Sequence, residues 1–246
     1  MQRSTETDSK EMRPRVDCFG RAFAGSQRQI QTWVNLRPVE LSNKTLEVLS
    51  LSPSPPPESK LRWVSPLASD RFAEYRDEEF LCVLGLKDLS NELREFWPKG
   101  GPSWDALGVL NSPSGQGFVL VEAKSHSTEL QSECKAKDPE SLKKIQESLT
   151  KTQAWLGVSD LEPRGWMKPF YQAANRLAHL YFLRSRGIQA WLVNVYFLND
   201  PHFGDTAPRS PEDWNAPIEA VERALGLAGK QVRFTAQSFL EATDCY

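Results

Sequence analysis

The chain has 246 residues, of which 30 are lysine or arginine and 32 are aspartate or glutamate, giving a formal net charge of -2. This length allows one good-sized domain, or one domain with an appendage, and can bury a substantial core. The charge balance argues against a broadly basic surface for nonspecific nucleic-acid binding, so any contact with nucleic acid must come from a local patch.

Several common classes of site have no support in the sequence. The four cysteines, at positions 18, 82, 134 and 245, have no paired spacing, and three histidines without pairing do not form a zinc site. Neither a phosphate-binding Gly-x-x-x-x-Gly-Lys-Ser/Thr run nor a Gly-x-Ser-x-Gly turn occurs. No apolar run approaches the length of a membrane span, and the polar N-terminus lacks the core of a signal peptide. We therefore expect reduced thiols, a cytoplasmic location and no membrane association.

The first 60 residues predict a tail, a helix and a linker. Residues 1–15 are charged and nearly free of large apolar groups, which is typical of disorder. The run FAGSQRQIQTWVN predicts a helix that begins at Ser26, whose hydroxyl can cap it. The prolines of SLSPSPPPESK predict an extended loop or linker. Residues 16–60 are thus interpreted as a helical extension with a Pro-rich linker before a main domain of residues 61–246.

The chain becomes more regular from Leu61 onward. The run WVSPL predicts a short buried strand or turn, and Ser69 or Asp70 can cap a helix from Arg71 to Leu84. A second helix is predicted from Ser90 to Phe96. The run WPKGGP then breaks the helical pattern and leads into a hairpin.

The hairpin between Gly101 and His126 carries the most informative residues. Strand alternation places Phe118, Leu120, Glu122, Lys124 and His126 on one face, opposite Val119, Val121 and Ala123. If residues 111–117 form the turn, Asp105 lies opposite roughly position 123, and directly opposed side chains sit about 5 Å apart. We therefore expect two carboxylates and an amine to converge.

This combination of groups is suited to hydrolysis of a phosphodiester. Two hard carboxylate ligands suit Mg²⁺, which takes the rest of its shell from waters and from the substrate phosphate. A lysine beside them can orient or activate the nucleophile, and opposite charges nearby favour its ionised form. The alternative is that the acid and the Glu-x-Lys run are merely exposed charges at strand ends.

Two helices and a buried strand follow the hairpin. A polar helix is predicted over Pro139 to Leu156, with lysines that form a solvated face or meet phosphates. The next helix is predicted from about Pro169 to Arg186, stopped by Gly187, and an apolar strand follows from Ile188 to Leu198. This order indicates a crossover connection beside the hairpin.

The second of these helices has a polar stripe at spacings of three and four. Its members are Gln172, Asn175, Arg176 and His179. Unpaired burial of such groups costs on the order of 1 to 3 kcal/mol each, so they need partners beside the metal site or a face open to solvent. Further on, a helix from Pro211 to Leu225, capped by Ser210, and a strand near Val232 to Thr235 complete the prediction.

Asp105 followed by the strand-borne Glu122-x-Lys124 resembles the signature of the PD-(D/E)XK nuclease superfamily, and the resemblance covers most of the chain from about Leu61. One departure is Trp104, which stands where the family usually has proline. The resemblance implies a restriction-endonuclease-like α/β fold, in which a mixed central sheet is flanked by helices. It also implies that Asp105 and Glu122 hold the metal and that Lys124 acts on the attacking water.

The resemblance further implies an acid from the preceding helix and a polar side chain from a later one. Candidates for the acid are Glu92, Glu95, Glu74 and Glu78, with Glu92 taken first. Gln172 is the candidate polar group from the later helix, and Arg176 is a candidate for phosphate binding. His126 is a further candidate contact to a ligand or water.

The sequence therefore predicts a metal-dependent nuclease that uses Mg²⁺ or Mn²⁺ to hydrolyse phosphodiester bonds in nucleic acid, with DNA as the expected substrate. The alternative is a noncatalytic nucleic-acid-binding or protein-interaction module, in which the same charges form an internal ion cluster. A homodimer or a partner protein is left open.

Overall fold

The computed structural model describes residues 16–51 and 53–243, and the predicted disordered tail, residues 1–15, lies outside these ranges, as does Cys245. The helices of the described residues are α1 (Gly25–Leu36), α2 (Pro38–Leu49), α3 (Asp77–Val83), α4 (Ser90–Phe96), α5 (Pro139–Leu156), α6 (Tyr171–Arg184) and α7 (Pro211–Ala224). The strands are β1 (Lys60–Ser65), β2 (Ala106–Ser112), β3 (Gly115–Lys124), β4 (Ala190–Leu198) and β5 (Thr235–Glu241). The fold is mixed α/β.

The five strands form one mixed sheet in the order β1-β2-β3-β4-β5. The pairs β1–β2 and β2–β3 are antiparallel, whereas β3–β4 and β4–β5 are parallel. Parallel neighbours need a long crossover, and α5 and α6 supply it between β3 and β4. The predicted crossover beside the hairpin is confirmed.

Both faces of the sheet are covered by helices, as the alternation in β3 requires. Phe118 and Leu120 pack into a core that includes residues of α3, α4, α5 and α6. Val119, Val121 and Ala123 point the other way and pack with apolar residues of α1 and α2. The two N-terminal helices therefore form a layer of the same structure, directly against the sheet.

Hydrogen bonds tie this N-terminal layer to the last strand. The indole Nε1 of Trp33 donates to the carbonyl oxygen of Glu241 at 3.1 Å. The Gln29 side chain accepts from the backbone N–H of Thr243 at 2.8 Å. These contacts join residues more than 200 positions apart in sequence. They fix α1 relative to the edge of the sheet.

Several predicted boundaries are wrong. Ser26 lies inside α1 and does not cap it, because the N-cap position is Ala24. The helix predicted from Arg71 begins only at Asp77, because Arg71 and Phe72 adopt left-handed backbone conformations that cannot continue a helix. The last strand begins at Thr235, where the prediction ended it.

Other elements match the prediction closely. The bounds of α4 and α5 are those expected, and β1 contains the predicted WVS segment. Ser210 takes part in a capping box at the start of α7, as its position indicated. No helix within the described part of the chain is long and apolar enough to cross a membrane.

Candidate active site

The β2–β3 hairpin brings together the three predicted site residues Asp105, Glu122 and Lys124. Its strands reach Ser112 and begin again at Gly115, so the turn has two residues and the predicted seven-residue turn is wrong. Ala106 pairs with Val121, and the same register continued by one residue sets Asp105 opposite Glu122. The predicted partner position of Asp105, residue 123, is one residue from the observed one.

Glu122 is the centre of a buried ion cluster. Its Oε1 accepts from the Lys124 ammonium, and its Oε2 accepts from Nε of Arg176 on α6 at 2.5 Å. All three side chains are buried. Burial by itself raises the pKa of Glu122, but the charges of Arg176 and Lys124 outweigh it and hold the pKa below its usual range.

Lys124 remains an ammonium in this setting. Burial lowers its pKa, but the negative charges of Glu122 and Asp105 outweigh the burial and raise the pKa above its ordinary value. Its Nζ also donates to Oε1 of Gln172 on α6 at 3.4 Å. Lys124 can therefore donate hydrogen bonds to a ligand but cannot take up a proton.

Asp105 is the second carboxylate of the site. Its Oδ2 accepts from the backbone N–H of Ala123 at 2.6 Å, and its own N–H donates to the Val121 carbonyl at 3.2 Å. Burial raises the pKa of Asp105 well above its ordinary value, and the charge of Glu122 raises it further. This carboxyl group is thus held in place by β3 beside another negative charge.

Glu74 is the upstream acid that the structure brings to the site. Its two carboxylate oxygens accept from Nε2 of Gln27 on α1 at 2.9 Å and from Oγ of Ser103 at 3.4 Å. Burial raises the pKa of Glu74, and the charge of Glu122 contributes in the same direction. The loop that carries Glu74 is tied to β2 because the Trp104 N–H donates to the Tyr75 carbonyl at 3.0 Å.

The acid taken first from the sequence, Glu92, lies elsewhere. Its carboxylate pairs with Arg186 at 2.6 Å near the end of α6. Glu78 pairs with Arg94, and Glu95 is exposed on α4. The assignment of Glu92 to the metal site is therefore not supported by its position, because α4 directs its acids away from β2 and β3.

The polar stripe of α6 faces the interior, and its members have different surroundings. Arg176 bridges Glu122 and the Ser103 carbonyl, which accepts from its Nη2 at 2.8 Å. Gln172 contacts Lys124, as expected of a site residue. His179 points into a cluster of aromatic rings and contacts none of the acids by a hydrogen bond. Arg176 was predicted to bind phosphate, and in the structure its guanidinium neutralises Glu122.

Trp104 occupies the position where the resemblance leads one to expect proline. Its ring is fully buried and meets Phe80 edge-on, with ring centroids 6.0 Å apart. The guanidinium carbon of Arg176 lies 5.0 Å from the Trp104 ring centroid. Trp104 thus supports Arg176 by a cation–π contact, which a proline could not do.

His126 does not continue the face of β3 that carries Glu122 and Lys124. The strand ends at Lys124, and His126 instead caps the short 3-10 helix Ser127–Leu130. Its ring stacks on Phe203 with centroids 4.7 Å apart, and its Nδ1 lies 2.8 Å from Oγ1 of Thr128. These contacts give His126 a structural role, and its contact to a ligand or water stays a prediction.

The site faces a solvent-open cleft of about 990 Å³. Asp105, Glu74, Gln172 and Arg176 line it, and residues of α1 and of the segment before α1 form another wall. A second, smaller cavity of about 110 Å³ lies behind, lined by Glu122, Lys124 and apolar residues of α6 and α7. Gln172 lines both spaces, whereas Glu122 and Lys124 line only the smaller one.

Carboxylate oxygens at the wall of this cleft have the donor chemistry that Mg²⁺ prefers. Within residues 16–51 and 53–243, no three His, Cys, Asp or Glu side chains are grouped closely enough to form a complete metal site. Two carboxylates with waters and phosphate oxygens still satisfy Mg²⁺, which rarely takes all its ligands from protein. Lys124 and Arg176 use two of the roughly four lone-pair positions of Glu122, so acceptor capacity remains.

Comparison with known protein families, with curated proteins and with solved structures finds no match to this chain. The function must therefore be argued from the residues of the site.

Some residues of the site carried no signal in the sequence. Gln27 lies on α1, which the sequence predicts as a helix without a site residue. Its side chain nevertheless donates to Glu74, 47 residues later in the sequence. Ser103 contributes its hydroxyl to Glu74 and its carbonyl to Arg176. Its adjacency to Trp104 and Asp105 was the one local indication that it would lie near the site.

Proposed function

We propose that the chain is a metal-dependent nuclease that hydrolyses phosphodiester bonds in DNA with Mg²⁺ or Mn²⁺. In this proposal the fold is restriction-endonuclease-like, of the PD-(D/E)XK type. The observation that carries this proposal is that adjacent strands bring Asp105 together with Glu122 and Lys124. Asp105 lines the open cleft, Glu122 and Lys124 line the smaller cavity, and Gln172 lines both. The mixed five-stranded sheet flanked by helices is compatible with that fold.

In this proposal each residue has a defined role. Asp105 and Glu122 would hold the metal ion. Glu74, which lines the same cleft as Asp105, would complete the ligand shell. Bound Mg²⁺ supplies positive charge beside the scissile phosphate and lowers the pKa of water. Lys124 donates a hydrogen bond that orients the attacking water or a phosphate oxygen, and Gln172 fixes the direction of its Nζ. Because its pKa is raised, Lys124 does not act as the base.

The sharpest test uses Asp105→Asn. An asparagine oxygen can still accept from the Ala123 N–H, so the hairpin is retained while the negative charge is lost. We expect wild type to cleave plasmid or single-stranded DNA with Mg²⁺ or Mn²⁺ and to be inactive in EDTA. We expect Asp105→Asn to lose roughly 100-fold or more of the cleavage rate, since a metal contributes several kcal/mol to charge stabilisation.

Two further variants control this experiment. Lys124→Met should lower the rate by on the order of 10²- to 10³-fold, the range for losing one hydrogen-bond donor in an active site. Glu92→Gln changes a carboxylate outside the cleft and should cleave like wild type. Circular dichroism checks that all variants fold. Equal cleavage by wild type and a folded Asp105→Asn variant would remove the proposed mechanism.

A specific observation favours a second candidate, a noncatalytic nucleic-acid-binding or protein-interaction module. Both oxygens of Glu122 are already neutralised by Lys124 and Arg176, so the cluster can hold the hairpin against α6 without a metal. Calorimetric titration with Mn²⁺ separates the two candidates. The nuclease requires Mn²⁺ binding that Asp105→Asn abolishes, whereas the module predicts no binding to either protein.

A further inference from the structure

The segment before α1 exposes two phenyl rings on an ordered backbone. Phe19 and Phe23 are 69% and 62% exposed. Oδ1 of Asp17 accepts from the backbone N–H groups of Phe19 and Arg21, both at 2.8 Å. Val16 and Ala22 form an isolated antiparallel bridge. The two rings therefore face solvent although their backbone is well bonded.

Contacts from other parts of the chain fix this segment in place. The Gln31 side chain accepts from the Ala22 N–H at 2.8 Å and donates to the Gly20 carbonyl at 3.2 Å. Nη2 of Arg71 donates to the Cys18 carbonyl at 2.8 Å. Gly20 has a φ of 83°, and any side chain there would collide with the Arg71 carbonyl. A surface that is ordered before a ligand arrives loses less entropy on binding.

The position of Phe23 relates it to the candidate active site. Phe23 lines the same cleft as Asp105, and the cations Arg176 and Lys135 line that cleft as well. The acids Glu74, Asp105, Glu129 and Glu133 line it too, and Arg176 is paired with Glu122. The exposed Phe23 ring offers a nucleotide base a flat apolar face, and Lys135 can meet a phosphate.

We infer that Phe23 is a stacking platform for an unpaired base and that the substrate is single-stranded nucleic acid. This inference rests on the nuclease proposed above and names its substrate class. In a duplex the bases stack on one another and are not free to stack on a protein ring. With a net charge of -2, the protein has no broad basic surface to hold a duplex by its phosphates alone.

The test measures binding without turnover, using the full chain in the Asp105→Asn background with Mg²⁺. Fluorescence anisotropy compares a labelled oligonucleotide as a single strand and as a duplex of the same sequence. We expect the single strand to bind more tightly and Phe23→Ala to weaken it by roughly 5- to 150-fold, the loss of one stacked base. Phe23→Trp should retain the affinity, because it keeps an aromatic face.

Val39→Ala is the matched control. Val39 is an apolar side chain on α2 that is 73% exposed and does not line the cleft. We expect this variant to bind like its parent. Equal affinity for single strand and duplex, or unchanged single-strand affinity in Phe23→Ala, would overturn the inference. A change of oligomeric state in Phe23→Ala with unchanged DNA affinity would likewise overturn it and assign the rings to a contact between two copies of the chain.

The failure of this inference and of the nuclease proposal can be told apart. Cleavage by wild type that depends on Asp105 but not on Phe23 retains the nuclease and removes the platform. Single-strand binding that depends on Phe23, in a protein that never cleaves, retains the platform and favours the noncatalytic module.

Discussion

His179 should make the stability of the fold fall in mild acid. Its imidazole is fully buried among Phe80, Phe96, Trp97 and Trp104, with the Trp97 ring centroid only 5.0 Å away. Nδ1 lies 2.8 Å from the Asn175 carbonyl, and Nε2 has no hydrogen-bond partner among the described residues. Burial is the main cause that lowers the pKa of His179 from 6.5 to about 4, and the charge of Arg176 adds to it.

The sign and size of the effect follow from this shift. The unfolded chain takes up a proton on His179 below pH 6.5, whereas the folded chain does so only near pH 4. Stability is therefore fully present above pH 6.5 and is lost as the pH falls through this window. Linkage with these two pKa values gives a loss of about 2 kcal/mol between pH 7 and pH 5.

Urea unfolding followed by tryptophan fluorescence measures this loss, with His179→Leu as the comparison. The variant has no titrating group at this position, while every other acid and base is kept. The difference in unfolding free energy between wild type and variant should therefore change by about 2 kcal/mol from pH 7 to pH 5. An identical pH dependence for the two proteins would refute the buried, neutral state of His179.

Three other changes have expected outcomes that unfolding measurements can check. Arg176→Ala should destabilise the protein by about 3 to 5 kcal/mol, because Glu122 keeps only one of its buried partners; Arg176→Lys, which restores a positive charge, should recover part of this loss. Trp104→Ala should cost about 3 to 5 kcal/mol as a core truncation, and a loss below 1 kcal/mol would contradict its burial. Asp105→Asn should be more stable than wild type at pH 7, since folding raises the pKa of Asp105, and this advantage should shrink as the pH falls.

The hairpin could be predicted because the residues that determine it are close together in the sequence. Two apolar runs with charged ends identify the strands, and strand alternation fixes which face Glu122 and Lys124 share. The turn was predicted too long, yet a turn shortened symmetrically moves the register very little. Asp105 therefore came out within a residue of its true partner. The strand after the crossover was predictable to its last residue and within two residues of its start, because Gly187 lies in the turn after α6 and a mostly apolar run follows.

Glu74 was one of four acids that the sequence offered, but it could not be singled out because its position depends on distant contacts. Glu74 lies in an irregular loop held by a bond between Tyr75 and Trp104 and by Gln27 from α1. No periodicity marks such a loop, whereas Glu92 sits on a well-marked helix that directs it elsewhere. The ion pair of Arg176 with Glu122 was not predicted for a related reason, since it follows from how α6 packs on the sheet.

The acids of the site outnumber its cations by one, and this imbalance bears on the function of the site. Glu74, Asp105 and Glu122 are three acids, and Lys124 and Arg176 are two cations, so one negative charge has no partner within this group. Buried charges are normally paired, and folding accordingly raises the pKa of Glu74 and Asp105. An ion cluster that served only to hold the hairpin would gain stability from a third cation or a neutral Asp105. The raised pKa of Asp105 at the wall of the cleft favours the proposed cation site over an ion cluster that only holds the hairpin.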